Sequence, residues 1–158
     1  MRLALAPLAL VLAACSPAAT GAAQSAQAAT EVHPVSGLEV IPLTVIRGDK
    51  RLSFKVEVAK GPLEQARGLM FRTEMGADEG MLFPMSPPRM ASFWMRNTVI
   101  SLDLIFVGPD GRILNIAANA VPYDENRLLS AGPVKAVLEL NGGRAAQLGI
   151  VPGDKVEW

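Results

Sequence analysis

Along much of the chain, apolar residues recur at every second position, the pattern of strands with one buried face. Leu38, Val40, Leu43 and Val45 predict a first strand, part of it at an edge because Pro42 cannot donate to a ladder. Gly48-Asp49 marks a turn, and Leu52, Phe54, Val56 and Val58 predict the second arm of a hairpin. Arg47-Gly48-Asp49 spells an adhesion tripeptide, but its place between two strands reads as the hairpin turn. Pro62 suits the first position of a short helix, with Leu63, Ala66 and Met70 on one face and Glu64 spaced to pair with Arg67. Residues 72–91 are punctuated by Gly and Pro and predict a long loop with one brief apolar piece, Met81-Leu82-Phe83. Strands are predicted again over 92–98 and 102–107. Across the Pro109-Asp110-Gly111 turn a further strand follows over 112–121. A second loop, 122–133, leads to a strand over 134–140. A short helix over 144–148 stops at Gly149, and a terminal strand covers 155–158. Many short strands with one or two short helices predict an all-β domain, a mainly antiparallel sandwich or barrel of jelly-roll character.

The first residues break this pattern. Arg2 is followed by an unbroken apolar run over residues 3–14, too short for the roughly 20 residues of a membrane-spanning helix and suited to the core of a secretory signal peptide. The run ends in Leu12-Ala13-Ala14-Cys15, which resembles the lipobox of bacterial lipoproteins, where the cysteine is acylated and becomes the first mature residue. The expected organisation is a signal peptide over 1–14, a lipidated terminus and flexible tether over 15–36, and a single domain over 37–158. Ser16 after the cysteine resembles lipoproteins sorted to an outer membrane. Cleavage after Ala26-Gln27-Ala28 is the alternative and gives a soluble periplasmic protein. The tether is rich in Ala, Ser, Thr and Gln and lacks the apolar surface to offset its ordering entropy. His33, the one histidine, falls in it and is read as incidental.

Charge narrows the partners. Lys plus Arg is 15 and Asp plus Glu is 15, with no basic stripe, so nucleic-acid binding has no electrostatic support. The one cysteine is Cys15, so no intramolecular disulfide forms, and no Cys or His pair offers a zinc site. No cofactor is implied.

Five motifs run in order through the predicted domain: Gly68-Leu69-Met70-Phe71-Arg72, Gly80-Met81-Leu82-Phe83, the 93–98 segment Phe-Trp-Met-Arg-Asn-Thr, the 102–106 segment Leu-Asp-Leu-Ile-Phe, and Val137-Leu138-Glu139-Leu140. Together they resemble the family known as domain of unknown function 192, over nearly all of residues 50–157. The resemblance implies a compact, mainly antiparallel β-fold, often exported and sometimes lipid-anchored. It implies no activity, because none is established for the family.

The chemistry-bearing residues cluster in those motifs. On a strand over 92–98, Trp94, Arg96 and Thr98 share one face and Phe93, Met95 and Asn97 the other. The candidate ligand-binding set is Arg67, Arg72, Trp94, Arg96, Asn97, Thr98, Asp103 and Glu139, lining a cleft suited to a polar or anionic ligand. The same charges can instead pair internally and fix sheet register. The expected role is a binding or interaction module for an unknown small molecule or envelope protein. The alternative is a small hydrolase-like enzyme in which Asp103 and Glu139 work as acid and base. A third reading takes Met70, Met75, Met81, Met85, Met90 and Met95 as soft ligands for Cu(I), against their use as core filler.

Overall fold

A computed structural model describes residues 31–158; the predicted signal peptide, Cys15 and most of the predicted tether lie outside them. The chain order is β1 (Val40–Arg47), β2 (Lys50–Val58), α1 (Pro62–Arg67), β3 (Glu79–Arg89), β4 (Ser92–Phe93), β5 (Leu102–Val107), β6 (Ile113–Ala120), β7 (Leu128–Leu129), β8 (Val134–Asn141), α2 (Arg144–Leu148) and β9 (Lys155–Glu157). Seven strands form one sheet in the order β6-β5-β8-β3-β2-β1-β9, and β4 pairs with β7 in a small second sheet. All pairings are antiparallel except β2 with β3. The large sheet curls until Arg112, just before β6, makes a single bridge to Lys155 of β9. It does not close into a barrel, and the fold is all-β and sandwich-like.

The predicted β1–β2 hairpin forms in register, Arg47 opposite Lys50. The expected loop over 72–91 is instead largely β3, eleven residues running between β2 and β8. Its prolines come after Glu79–Leu82, the stretch paired to β2, so they fall where β3 has a strand on one side only. The alternation of β3, β5 and β8 sends neighbouring residues to opposite faces. One apolar cluster gathers Leu82, Ile105, Val107, Leu138 and Leu140 with Leu43, Phe54 and Val56. The other gathers Met81, Phe83, Leu104, Phe106 and Val137. The second face is roofed by Leu69 after α1, by Met95 and by Phe93 of the small sheet, whose ring meets Phe83 edge-on at 5.2 Å between centroids.

Helix α1 does not pack as its spacing suggests. Leu63 is 86 % exposed and Ala66 is exposed, while Leu69, just past the helix end, is buried. Nor does Glu64 pair with Arg67. Its carboxylate accepts from the backbone N–H groups of Lys60 and Gly61, both at 2.7 Å, and so caps the helix. Gln65 fixes α1 to the sheet by donating to the carbonyls of Ala59 and Pro84.

The end of the predicted tether belongs to the domain. Val32 bridges Glu39, and Ser36 donates to the carboxylate of Glu57. His33 Nδ1 lies 3.6 Å from the same carboxylate. Glu57 is buried because it sits in the apolar half of β2, and Arg72 answers it with a two-pronged pair at 2.9 and 3.1 Å. The histidine read as incidental is thus held against the fold.

Candidate functional site

A cavity of about 490 Å³ opens on the second face of the sheet, between α1, the end of β3, and the segment after β4. Phe83, Met85 and Phe93 form apolar wall, and Glu139 of β8 stands among them. The register explains the glutamate's position. It pairs with Met81 of β3 and Leu104 of β5, both of which point into the apolar layer on that face. Its side chain therefore enters the same layer. Glu139 is 5 % exposed and makes no side-chain hydrogen bond or ion pair among the described residues. Burial without a partner pushes its carboxyl up to about 8, so at neutral pH it is mostly the neutral acid.

The charged groups at the mouth are all cationic. Arg67 comes from the end of α1, Arg89 from the end of β3 and Arg127 from the segment before β7. None of the three has an ion-pair partner among the described residues, whereas Arg51, Arg72, Arg96 and Arg144 each pair with a carboxylate. The Arg127 guanidinium lies 4.4 Å from the centre of the Trp94 ring, which orients it without taking up its N–H donors.

Of the eight candidates, Arg67, Trp94, Thr98 and Glu139 line this cavity. The expected strand over 92–98 does not form; β4 ends at Phe93, and residues 94–98 make a turn in which Asn97 adopts φ 56°. The Thr98 N–H donates to the Met95 carbonyl, and the Phe71 N–H to that of Asn97. The turn brings Trp94 and Thr98 to one cavity and leaves Arg96 exposed, 3.9 Å from Glu125. The Asn97 side chain packs on Met70 sulfur. Arg72 is committed to Glu57.

Asp103 is the clearest departure. It pairs in register with Leu140, so it faces the opposite side of the sheet from Glu139, and it is fully buried. Its carboxylate accepts three backbone N–H groups, from Asn119 at 2.8 Å, Gly143 at 3.0 Å and Ala145 at 2.8 Å. It ties the end of β6 to the start of α2. The proposed acid and base cannot meet across the sheet.

Arg89 and Arg127 were missed because both fall in stretches read as loops. A signal existed for Arg89: no acidic residue lies between Glu79 and Asp103, so it has no local partner. Met70, Met85 and Met90 also line the cavity, while Met81 and Met95 are buried core filler. Three guanidiniums beside those sulfurs make a poor setting for a copper cation. Among the described residues no three His, Cys, Asp or Glu side chains group as a metal site.

The sequence profile of the DUF192 family, described as an uncharacterized ACR, matches residues 44–158. The chain belongs to this family. Two solved structures are similar to it. A protein of unknown function from Novosphingobium aromaticivorans is 64% identical, with a TM-score of 0.80 over 84% of this chain and 94% of that one. A protein from Sinorhizobium meliloti bearing a provisional transcription-regulator label is 39% identical, with a TM-score of 0.74 over 76% of this chain and 94% of that one. No curated protein matches the chain. Both similarities cover the cavity-bearing domain, and neither brings a named ligand.

Proposed function

We propose that this DUF192 protein is an exported envelope lipoprotein, anchored through Cys15, whose domain is a binding module for a small organic anion. The observation that carries the ligand class is the convergence of Arg67, Arg89 and Arg127, all without ion-pair partners among the described residues, on one cavity. Unpaired guanidiniums around a concave, partly apolar site suit an anion with an apolar body. The anchor rests on the apolar run before Leu12-Ala13-Ala14-Cys15. A nucleic-acid role, which the label on the Sinorhizobium relative would suggest, lacks electrostatic support, since 15 cationic residues are balanced by 15 anionic ones.

A hydrolase reading retains Glu139 as a proton donor but loses its second carboxylate, because Asp103 is on the other face. Calorimetry of the full chain against phosphate, sulfate, benzoate and neutral analogues tests the binding module. Anions are expected to bind, and Arg127→Ala and Arg89→Ala to weaken them. Equal binding of neutral analogues, or no anion bound at all, overturns the reading. Intact-mass measurement on envelope-derived protein tests the anchor, where an unmodified Cys15 overturns it.

A further inference from the structure

The anion-binding reading extends to Glu139, because a buried acid and three guanidiniums, all without ion-pair partners among the described residues, surround one space. We propose that the cavity takes an organic carboxylate bearing a second, acceptor oxygen, and that capture is linked to a proton held on Glu139. In this arrangement the rim guanidiniums hold the carboxylate, the apolar body lies against Phe83, Met85 and Phe93, and neutral Glu139 donates a hydrogen bond to the acceptor oxygen.

Three features support this geometry. The first is position: Glu139 is buried on the wall while Arg67, Arg89 and Arg127 are exposed at the mouth, so an elongated ligand spans two unlike polar ends. The second is the lack of a side-chain hydrogen-bond or ion-pair partner for Glu139 among the described residues. Thr98, a buried hydroxyl in the lining, gives its hydrogen bond to the Arg96 carbonyl at 3.4 Å and not to Glu139. The carboxyl faces the cavity with no protein group to bond, so a ligand acceptor placed there takes its hydrogen bond. The third is the charge pattern around it. Met81 from β3 and Leu104 from β5 flank Glu139 and do not titrate. The other charged lining groups are Arg67 from α1, Arg89 from β3 and Arg127 before β7, and among the described residues no second carboxylate lines the cavity. Desolvation therefore dominates and favours the protonated form at neutral pH.

The arginines keep their charge throughout the accessible range. Loss of the proton from Glu139 removes the donor and sets a negative charge against the ligand's acceptor oxygen. Affinity is then flat below about pH 8 and falls about tenfold per pH unit above it.

The test uses the full chain and para-acetylbenzoate, a carboxylate with a ketone at its far end and no titration of its own from about pH 6 to about pH 10. Calorimetry across that range is expected to show the fall in affinity, and Glu139→Gln to flatten it. The slope is the readout, whatever the absolute affinity of the variant. An unchanged slope in Glu139→Gln, or a flat profile in the unaltered protein, overturns the inference while leaving anion binding in place. So does failure of para-acetylbenzoate to bind where other anions bind, whereas failure of every anion overturns the underlying binding reading too. If the variant does not fold, carbon-13 titration of the Glu139 carboxyl in the unaltered protein decides. Saturating para-acetylbenzoate must move its midpoint upward, and an unmoved midpoint overturns the proposal.

Discussion

Asp103 and Glu139 sit on adjacent strands one register step apart and point to opposite faces of the sheet. Both carry carboxyl groups enclosed by apolar neighbours, yet their surroundings differ in kind. Among the described residues Asp103 meets three backbone donors, and Glu139 meets none. One is a structural knot and the other lines a cavity without a side-chain partner among the described residues.

The first prediction concerns that knot. Asp103→Asn leaves one acceptor oxygen for three N–H groups and turns an amide donor toward them. The expected loss is about 2–3 kcal/mol of stability, read from urea unfolding. Anion binding at the cavity, measured well below the melting temperature, should be little changed. A variant as stable as the parent but unable to bind would place Asp103 in the site after all.

Glu57 and Arg72 carry the second prediction. The pair is buried, two-pronged, and joined by Ser36 and His33 from the chain leading into β1. Removing one partner strands the other as a buried charge, so Arg72→Ala should cost about 3–5 kcal/mol. Replacing both, with Glu57→Leu and Arg72→Met, should recover much of it. Each change should also loosen the turn at residues 33–37, which hydrogen exchange at Gly37 and Leu38 would register. Unaltered exchange there would mean that the turn holds without the pair.

Much of the sheet was legible in the sequence, because a strand with one wet face writes its own alternation. Phe54, Val56 and Val58 did so for β2, and Pro62 marked the start of α1. Strand β3 was not legible, because Gly80, Pro84, Pro87 and Pro88 imitate a loop. Its true status depends on having β2 and β8 on either side, which no local pattern encodes. The segment 94–98 failed in the other direction. Its composition suits a strand, but backbone bonds to Phe71, Tyr123 and Asp124 fold it into a turn. Glu139 could be picked out because a lone carboxylate stands in an apolar run. Of its companions, Arg89 leaves only the hint that no acidic residue lies near it in the sequence and Arg127 leaves none, since the cavity is assembled from segments far apart in the chain.

Gly80 gives a third prediction. It is buried in β3 against β8, and a Cβ there would lie 2.6 Å from the carbonyl oxygen of Glu139 and 2.9 Å from Leu140. Backbone cannot give way as a flexible side chain can. Gly80→Ala should push β3 from β8 at a cost of about 1–3 kcal/mol, visible as a lowered melting temperature. It should also displace Glu139 and weaken para-acetylbenzoate binding in folded protein. A stable variant with normal binding would show that the close approach is relaxed at little cost.

The last prediction follows from proton linkage. In the unfolded chain Glu139 titrates near 4.5, and in the folded protein burial raises it to about 8. Between those values the native state holds a proton that the unfolded state has released. Stability from this group is therefore fully present below about 4.5, declines as pH rises through the window to about 8, and is level above it, with a slope that approaches one proton. This is the reverse of a salt-bridged carboxylate, whose stabilising effect is lost on acidification. Comparing urea unfolding of the unaltered protein and Glu139→Gln across this range isolates the effect, since every other group is common to both. The difference should widen steadily in favour of the glutamine variant as pH rises, and parallel profiles would mean that Glu139 ionises without penalty.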